Sequence, residues 1–162
     1  MPGNEPAAAA ILRTWEVHNN ITLLLIKNIP AKGFGGIPAA SRGRTVAAQL
    51  AHMNNIRRGW LHYHRTGKRL AGGRMGAGQN RAQLVRAFRD SGREVGRFLG
   101  GALGGGQLPR AFGRNPVRWM GYLIAHESHH RGQIMLALKQ NGLRMPEKVA
   151  VQGLWGSWMW GK

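Results

Sequence analysis

The chain contains no cysteine. That excludes disulfides, thiolate-bound zinc and a cysteine nucleophile together. A metal here must rest on His, Asp, Glu or water, and any thiol chemistry needs a thiol from outside. Acidic residues are also scarce: six Asp and Glu stand against 24 Lys and Arg, a formal net charge of +18. Long hydrophobic runs are missing. The longest aliphatic stretch, Ile21 to Ile26, is interrupted by Thr22 and falls far short of the roughly 20 residues that span a bilayer. Met1-Pro2-Gly3-Asn4-Glu5-Pro6 lacks the basic start of a secretory leader. Period-two alternation, the mark of strands, is absent as well. The expectation is a cytoplasmic, all-α protein with no membrane partner.

What is present is enough apolar material for a core. A hydrophobic fraction of 43% over 162 residues suits one globular domain, residues 1–162. The positive charge has two readings. One is a polyanionic partner, with nucleic acid the obvious class. The other is a solvated basic surface, favoured because the arginines (Arg57, Arg58, Arg86, Arg89, Arg93, Arg97) are scattered and form no single arm with interleaved aromatics.

Three Gly-rich stretches, Gly33 to Gly43, Gly67 to Gly78 and Gly100 to Gly113, divide the chain and read as inter-helix loops. Gly72-Gly73-Arg74-Met75-Gly76-Ala77-Gly78 has neither a preceding strand nor a following Gly-Lys-Ser/Thr, so it reads as a flexible linker, not a phosphate loop. Four helical segments lie between. The first runs from about Pro6 to Asn28 and stops at Pro30. The second starts at the N-cap Thr45, continues to about His64, and sets Val46, Leu50, Met53, Ile56 and Trp60 on one face. The third starts at Asn80 and carries Leu84, Val85, Phe88, Val95, Phe98 and Leu99. The fourth begins with Asn115 as cap and Pro116 at the first helical position, and ends at Gly142. The aromatic tail, with Trp155, Trp158 and Trp160, is expected to close one end of the core. The fold class that follows is a four-helix bundle.

The fourth helix carries the chemistry. His126 and His130 are four apart, so they project from one face, in line with Trp119, Leu123, Gln133 and Ala137. Neutral imidazoles on an apolar face need partners, and a shared divalent ion is one. Hydrogen-bonded core histidines are the other reading. His52 sits mid-helix between apolar neighbours in the second segment, where a bundle can bring it against the fourth. Three His with one open position is the catalytic type of zinc site. His62 and His64 stand at a helix end beside Arg65 and read as solvated, and His18 as a polar core residue.

Glu127, about 100° around the helix from His126, can activate a bound water, accept a bond from a liganding imidazole, or pair with Arg131; the last two are favoured. His126-Glu127-Ser128-His129-His130 also reads as H-E-x-x-H, the metallopeptidase pattern with Glu127 as catalytic base. That reading is set aside. Gln133 stands where the extended motif has Gly, and no His follows His130.

Four segments resemble the DinB/YfiT-like superfamily of metal-binding four-helix bundles. These are Trp15 to Pro30; Thr45 to Met53 with His52; His126 to Gln133, which is similar to the H-x-x-H-H-R-G-Q stretch of that family; and Gly153-Leu154-Trp155-Gly156 onward. The resemblance implies a bundle with a long crossover connection, often a homodimer, whose Zn or Ni ion is held by residues matching His52, His126 and His130. Activities known in the family include S-transferases, which join a low-molecular-weight thiol to an electrophile, and thiol-dependent isomerases. A basic nucleic-acid-binding or stress protein with a structural metal is the alternative.

Overall fold

The computed structural model describes residues 5–40 and 42–160; Met1 to Asn4, read above as lacking a leader, lie outside the described residues. It contains four long helices: α1 (Ala7–Asn28), α2 (Val46–Thr66), α3 (Arg81–Leu103) and α4 (Pro116–Gln140). Short 3-10 turns cover Ala31–Gly35 and Phe112–Arg114. The tail is a π-helical segment, Lys148–Trp155, running into the short helix α5, Gly156–Trp160. There is no strand among the described residues, and no helix long and apolar enough to cross a membrane.

The helix starts follow from their caps. Thr45 Oγ1 accepts a bond from the Ala48 amide at 3.1 Å and Asn115 Oδ1 one from the Arg118 amide at 3.0 Å, each satisfying an orphan N–H of a first turn. Asn80 and Gln83 form a reciprocal capping box at the start of α3.

Helix α1 packs chiefly on α3, α2 packs on α3 and α4, and α4 closes against α1. Where α1 and α3 cross, Trp15 Nε1 donates to the Gly92 carbonyl at 2.8 Å. A Cβ at Gly92 would meet the Asn19 amide at 2.4 Å, so only glycine allows the approach. The core is split in two. One apolar cluster gathers Ile21, Leu25, Leu50, Met53, Phe88 and Ile134; the other gathers Trp15, Leu61, Val95, Leu99, Trp119 and Leu123. Between them in the sequence of α1, α2 and α4 stand buried polar residues: His18, Arg57, Glu127, His130 and Arg131.

Three expectations need correction. Gly100 and Gly101 are helical, because α3 runs on to Leu103 with Leu99 and Ala102 buried beside them; packing outweighs propensity there. The stretch from Gly67 to Gly78 is no free linker. Gly72 and Gly73 take left-handed φ of 79° and 64°, turning the chain back on α2. There the Asn55 amide donates to the Met75 carbonyl at 2.9 Å and accepts from the Met75 N–H at 2.8 Å, while Arg58 donates to the Gly73 carbonyl. The aromatic tail closes the core only in part: Trp155 and Trp160 are 65% and 72% exposed, while Leu154 is buried and the Trp158 ring lies 6.3 Å from that of buried His18.

Candidate metal centre

Helix α2 presents His52 and helix α4 presents His126 and His130 to one another. A ring nitrogen from each lies within 4.8 Å of the other two. His52 Nε2 and His126 Nε2 are 3.2 Å apart, and the three ring centroids are separated by 4.7 to 5.2 Å. Two nitrogens each about 2.05 Å from one tetrahedral zinc ion stand roughly 3.3 Å apart, so this spacing fits a shared ion. Among the described residues no other His, Asp or Glu joins the cluster. The candidate donor set is therefore three imidazoles.

The electrostatics favour the ligating form of all three. Burial pushes the pKa of each imidazole down, to about 4 for His130. For His52 and His130 the nearby Arg44 guanidinium adds to the same effect. A neutral imidazole carries one N–H and one lone pair, and its surroundings decide which nitrogen keeps the proton. At His130 they decide clearly. Its Nδ1 lies 3.2 Å from the buried Gln49 Oε1, an acceptor only, so Nδ1 holds the proton and Nε2 is left as the donor atom. His126 Nδ1 is buried with no hydrogen-bond partner, a polar atom that protein groups alone leave unsatisfied. Tyr122 stacks on the His126 ring at 5.9 Å.

Of the triad, His52 also faces a larger opening. A cavity of about 1000 Å³ is lined by His52 together with Ile56, Trp60, Tyr63 and Tyr122. Ile56 and Trp60, expected on the core face of α2, are only half buried because they form this wall.

Glu127 faces away from the triad, which corrects each role considered for it, the catalytic base included. Its carboxylate is 1% exposed and takes Arg57 in a two-point pair, Nε at 2.5 Å and Nη2 at 2.8 Å. His18 Nε2 donates to the same carboxylate at 2.9 Å. Arg131 is not its direct partner; its Nη1 reaches His18 Nδ1 at 3.4 Å and Thr22 Oγ1 at 3.2 Å, and its Nη2 reaches Ser128. Burial by itself would raise the Glu127 pKa, but the Arg57 guanidinium and His18 outweigh it and hold the carboxyl well below the usual range. His18 stays neutral because burial lowers its pKa. Arg57 in turn lies between the Trp15 and Phe88 rings, its Cζ 4.9 and 4.8 Å from their centroids, and donates to Asn19 Oδ1 at 2.7 Å. The pair ties α2 to α4 near the residues that carry the imidazoles. A carboxylate so engaged is no water-activating base, and the metallopeptidase reading loses its catalytic group.

The remaining histidines divide. His129 is exposed, with Gln133 at 2.9 Å, and borders His130. His62 is half buried and outside the triad. His64, expected in solvent, is fully buried between Trp60 and Trp119; it accepts the Arg110 N–H at 3.2 Å, and burial lowers its pKa to about 4. Sequence reasoning passed over Gln49 and misread Arg57 and His64 as solvated. A signal for two of them was present, since Leu50, Asn54, Arg57, Leu61 and His64 form one stripe at helical spacing and all are buried.

Comparison with known families agrees with this arrangement. The DinB superfamily model matches residues 14–134, which include all three clustered histidines, and the DinB family model matches residues 115–156. No curated protein matches the chain. With the superfamily model covering most of its length, the chain belongs to the DinB superfamily.

Proposed function

We propose that this protein binds a divalent metal ion, zinc or nickel, through His52, His126 and His130, and that it is an S-transferase or isomerase acting on an external low-molecular-weight thiol and an electrophile. The frame we propose is the four-helix bundle with a long crossover connection. The observation that carries the reading is the donor set: three neutral imidazoles converge beside a substrate-sized cavity, and among the described residues no further His, Asp or Glu joins them, which suits a site with an open fourth position. A divalent ion held there would supply Lewis-acid chemistry, lowering a thiol's pKa so that thiolate exists at neutral pH.

The chain's own residues do the rest. Gln49 fixes the His130 tautomer and Tyr122 holds the His126 ring from one face. The buried Arg57–Glu127 pair holds α2 and α4 in the register that brings the imidazoles together. Trp60, Tyr63 and Ile56 give the cavity an apolar wall against which a substrate is desolvated. No cysteine competes with the incoming thiol.

Metal-loaded protein is expected to accelerate conjugation of a small thiol with a model electrophile such as monobromobimane. The acceleration should vanish with chelator and in His126→Ala. Loaded protein that leaves the rate at background with each of several thiols would remove the transferase reading.

A further inference from the structure

The cavity beside His52 has a charge that its surroundings do not balance. Arg44, Arg69 and Arg74 line it, with no Asp or Glu in its wall. None of the three is paired with a carboxylate among the described residues. The general basicity of the chain does not by itself account for this. A smaller cavity of about 420 Å³, against another part of α2, also contains arginines, Arg58 and Arg65, but there Asp90 and Glu94 share the wall and Glu94 pairs with Arg65 at 3.0 Å.

The arginines are also placed by built structure. Arg69 and Arg74 stand on the loop that Gly72 and Gly73 turn back, and that loop is fastened to α2 by both hydrogen bonds between Asn55 and Met75 and by Arg58 at Gly73. Arg44 precedes the Thr45 cap of α2 and contributes to the same wall. Part of the remaining wall is aromatic: Trp60 meets Tyr63 at 5.9 Å and Tyr122 at 6.1 Å, edge to face. Volume, unpaired guanidinium groups and an aromatic floor together describe one kind of guest.

We propose that the cavity binds a small organic anion, with its phosphoryl or carboxyl group held by Arg44, Arg69 and Arg74 and its apolar or aromatic body against Trp60, Tyr63 and Ile56. The proposal rests on the metal reading only in making that anion a substrate; the binding itself needs no metal.

Calorimetric titration with 1-naphthyl phosphate, 1-naphthoate and 1-naphthol tests it. The two anions should bind and the neutral alcohol should bind about tenfold or more weakly, since a hydrogen bond to a charged group contributes on the order of one to two decades. The tighter of the two anions identifies the head group. Arg69→Ala/Arg74→Ala should lose about tenfold or more in anion affinity. Arg86→Ala/Arg89→Ala removes the same charge from exposed positions of α3 outside the cavity and should change it less than about twofold. Equal losses in the two double variants would assign binding to net charge and overturn the proposal, as would naphthol binding as tightly as the anions. Chelator-stripped protein separates this from the metal reading. Retained binding leaves the arginine site standing whatever becomes of the transferase, whereas binding lost with the metal would make the anion a metal ligand and overturn the site.

Discussion

Glu127 stands where α1, α2 and α4 meet, with two buried arginines and a neutral histidine grouped around it. Burying charge is costly unless each charge keeps a close partner. The two-point geometry at Arg57 and the His18 N–H satisfy the carboxylate, while Thr22, Ser128 and His18 Nδ1 serve Arg131. Removing one member leaves its partner charged in a dry layer. Glu127→Gln is therefore expected to lower unfolding stability by about 3–5 kcal/mol, read from urea denaturation. A change within about 1 kcal/mol would show that the layer is better solvated than its burial implies. The candidate ligands were legible because each His interrupts a helix face that is otherwise apolar. Glu127 was not, because a charge beside Arg131 on one helix suggests a local pair. Its true partner is 70 positions away on α2, and spacing within a helix carries no information about that.

At the scale of elements, stops and starts were the most legible part. Thr45, Asn80 and Asn115 each accept the amide bond that their residue type suggests. Glycine was the least legible, because local propensity and packing act against each other there. Gly92 costs its helix about 1 kcal/mol in propensity relative to alanine. Yet the space above it is filled by Asn19, whose Oδ1 accepts from Arg57 Nη1 at 2.7 Å. Gly92→Ala is expected to destabilise by about 1–3 kcal/mol, since overpacking a helix crossing exceeds the propensity gain. Urea midpoints compare the two proteins, and a variant at least as stable as its parent would show that α1 and α3 can separate at no cost. The loop from Gly67 to Gly78 was misread for a related reason. Its composition suggests freedom, but the hydrogen bonds that fasten it come from Asn55 and Arg58 on α2, more than a dozen positions upstream of the residues they hold.

For the molecule as a whole, the few acidic residues are unevenly used. Glu127 is buried among arginines, while Asp90 and Glu94 sit on α3 beside Arg93 and Arg65. That leaves the wall next to the clustered histidines without negative charge. The all-helical class was legible from helical periodicity together with the absence of strand patterns. The fate of the tail was not: Trp155 and Trp160 are apolar, yet both remain largely exposed. The central claim concerns the three imidazoles and the position they leave open. Titration with cobalt(II), followed by visible absorption, tests it most directly. The account predicts saturation at about one ion per chain with the intense bands of a four-coordinate site, loss of that site in His130→Ala, and a new near-ultraviolet charge-transfer band when a small thiol is added. Spectra that never saturate, or that are identical in the parent and in His130→Ala, would contradict it.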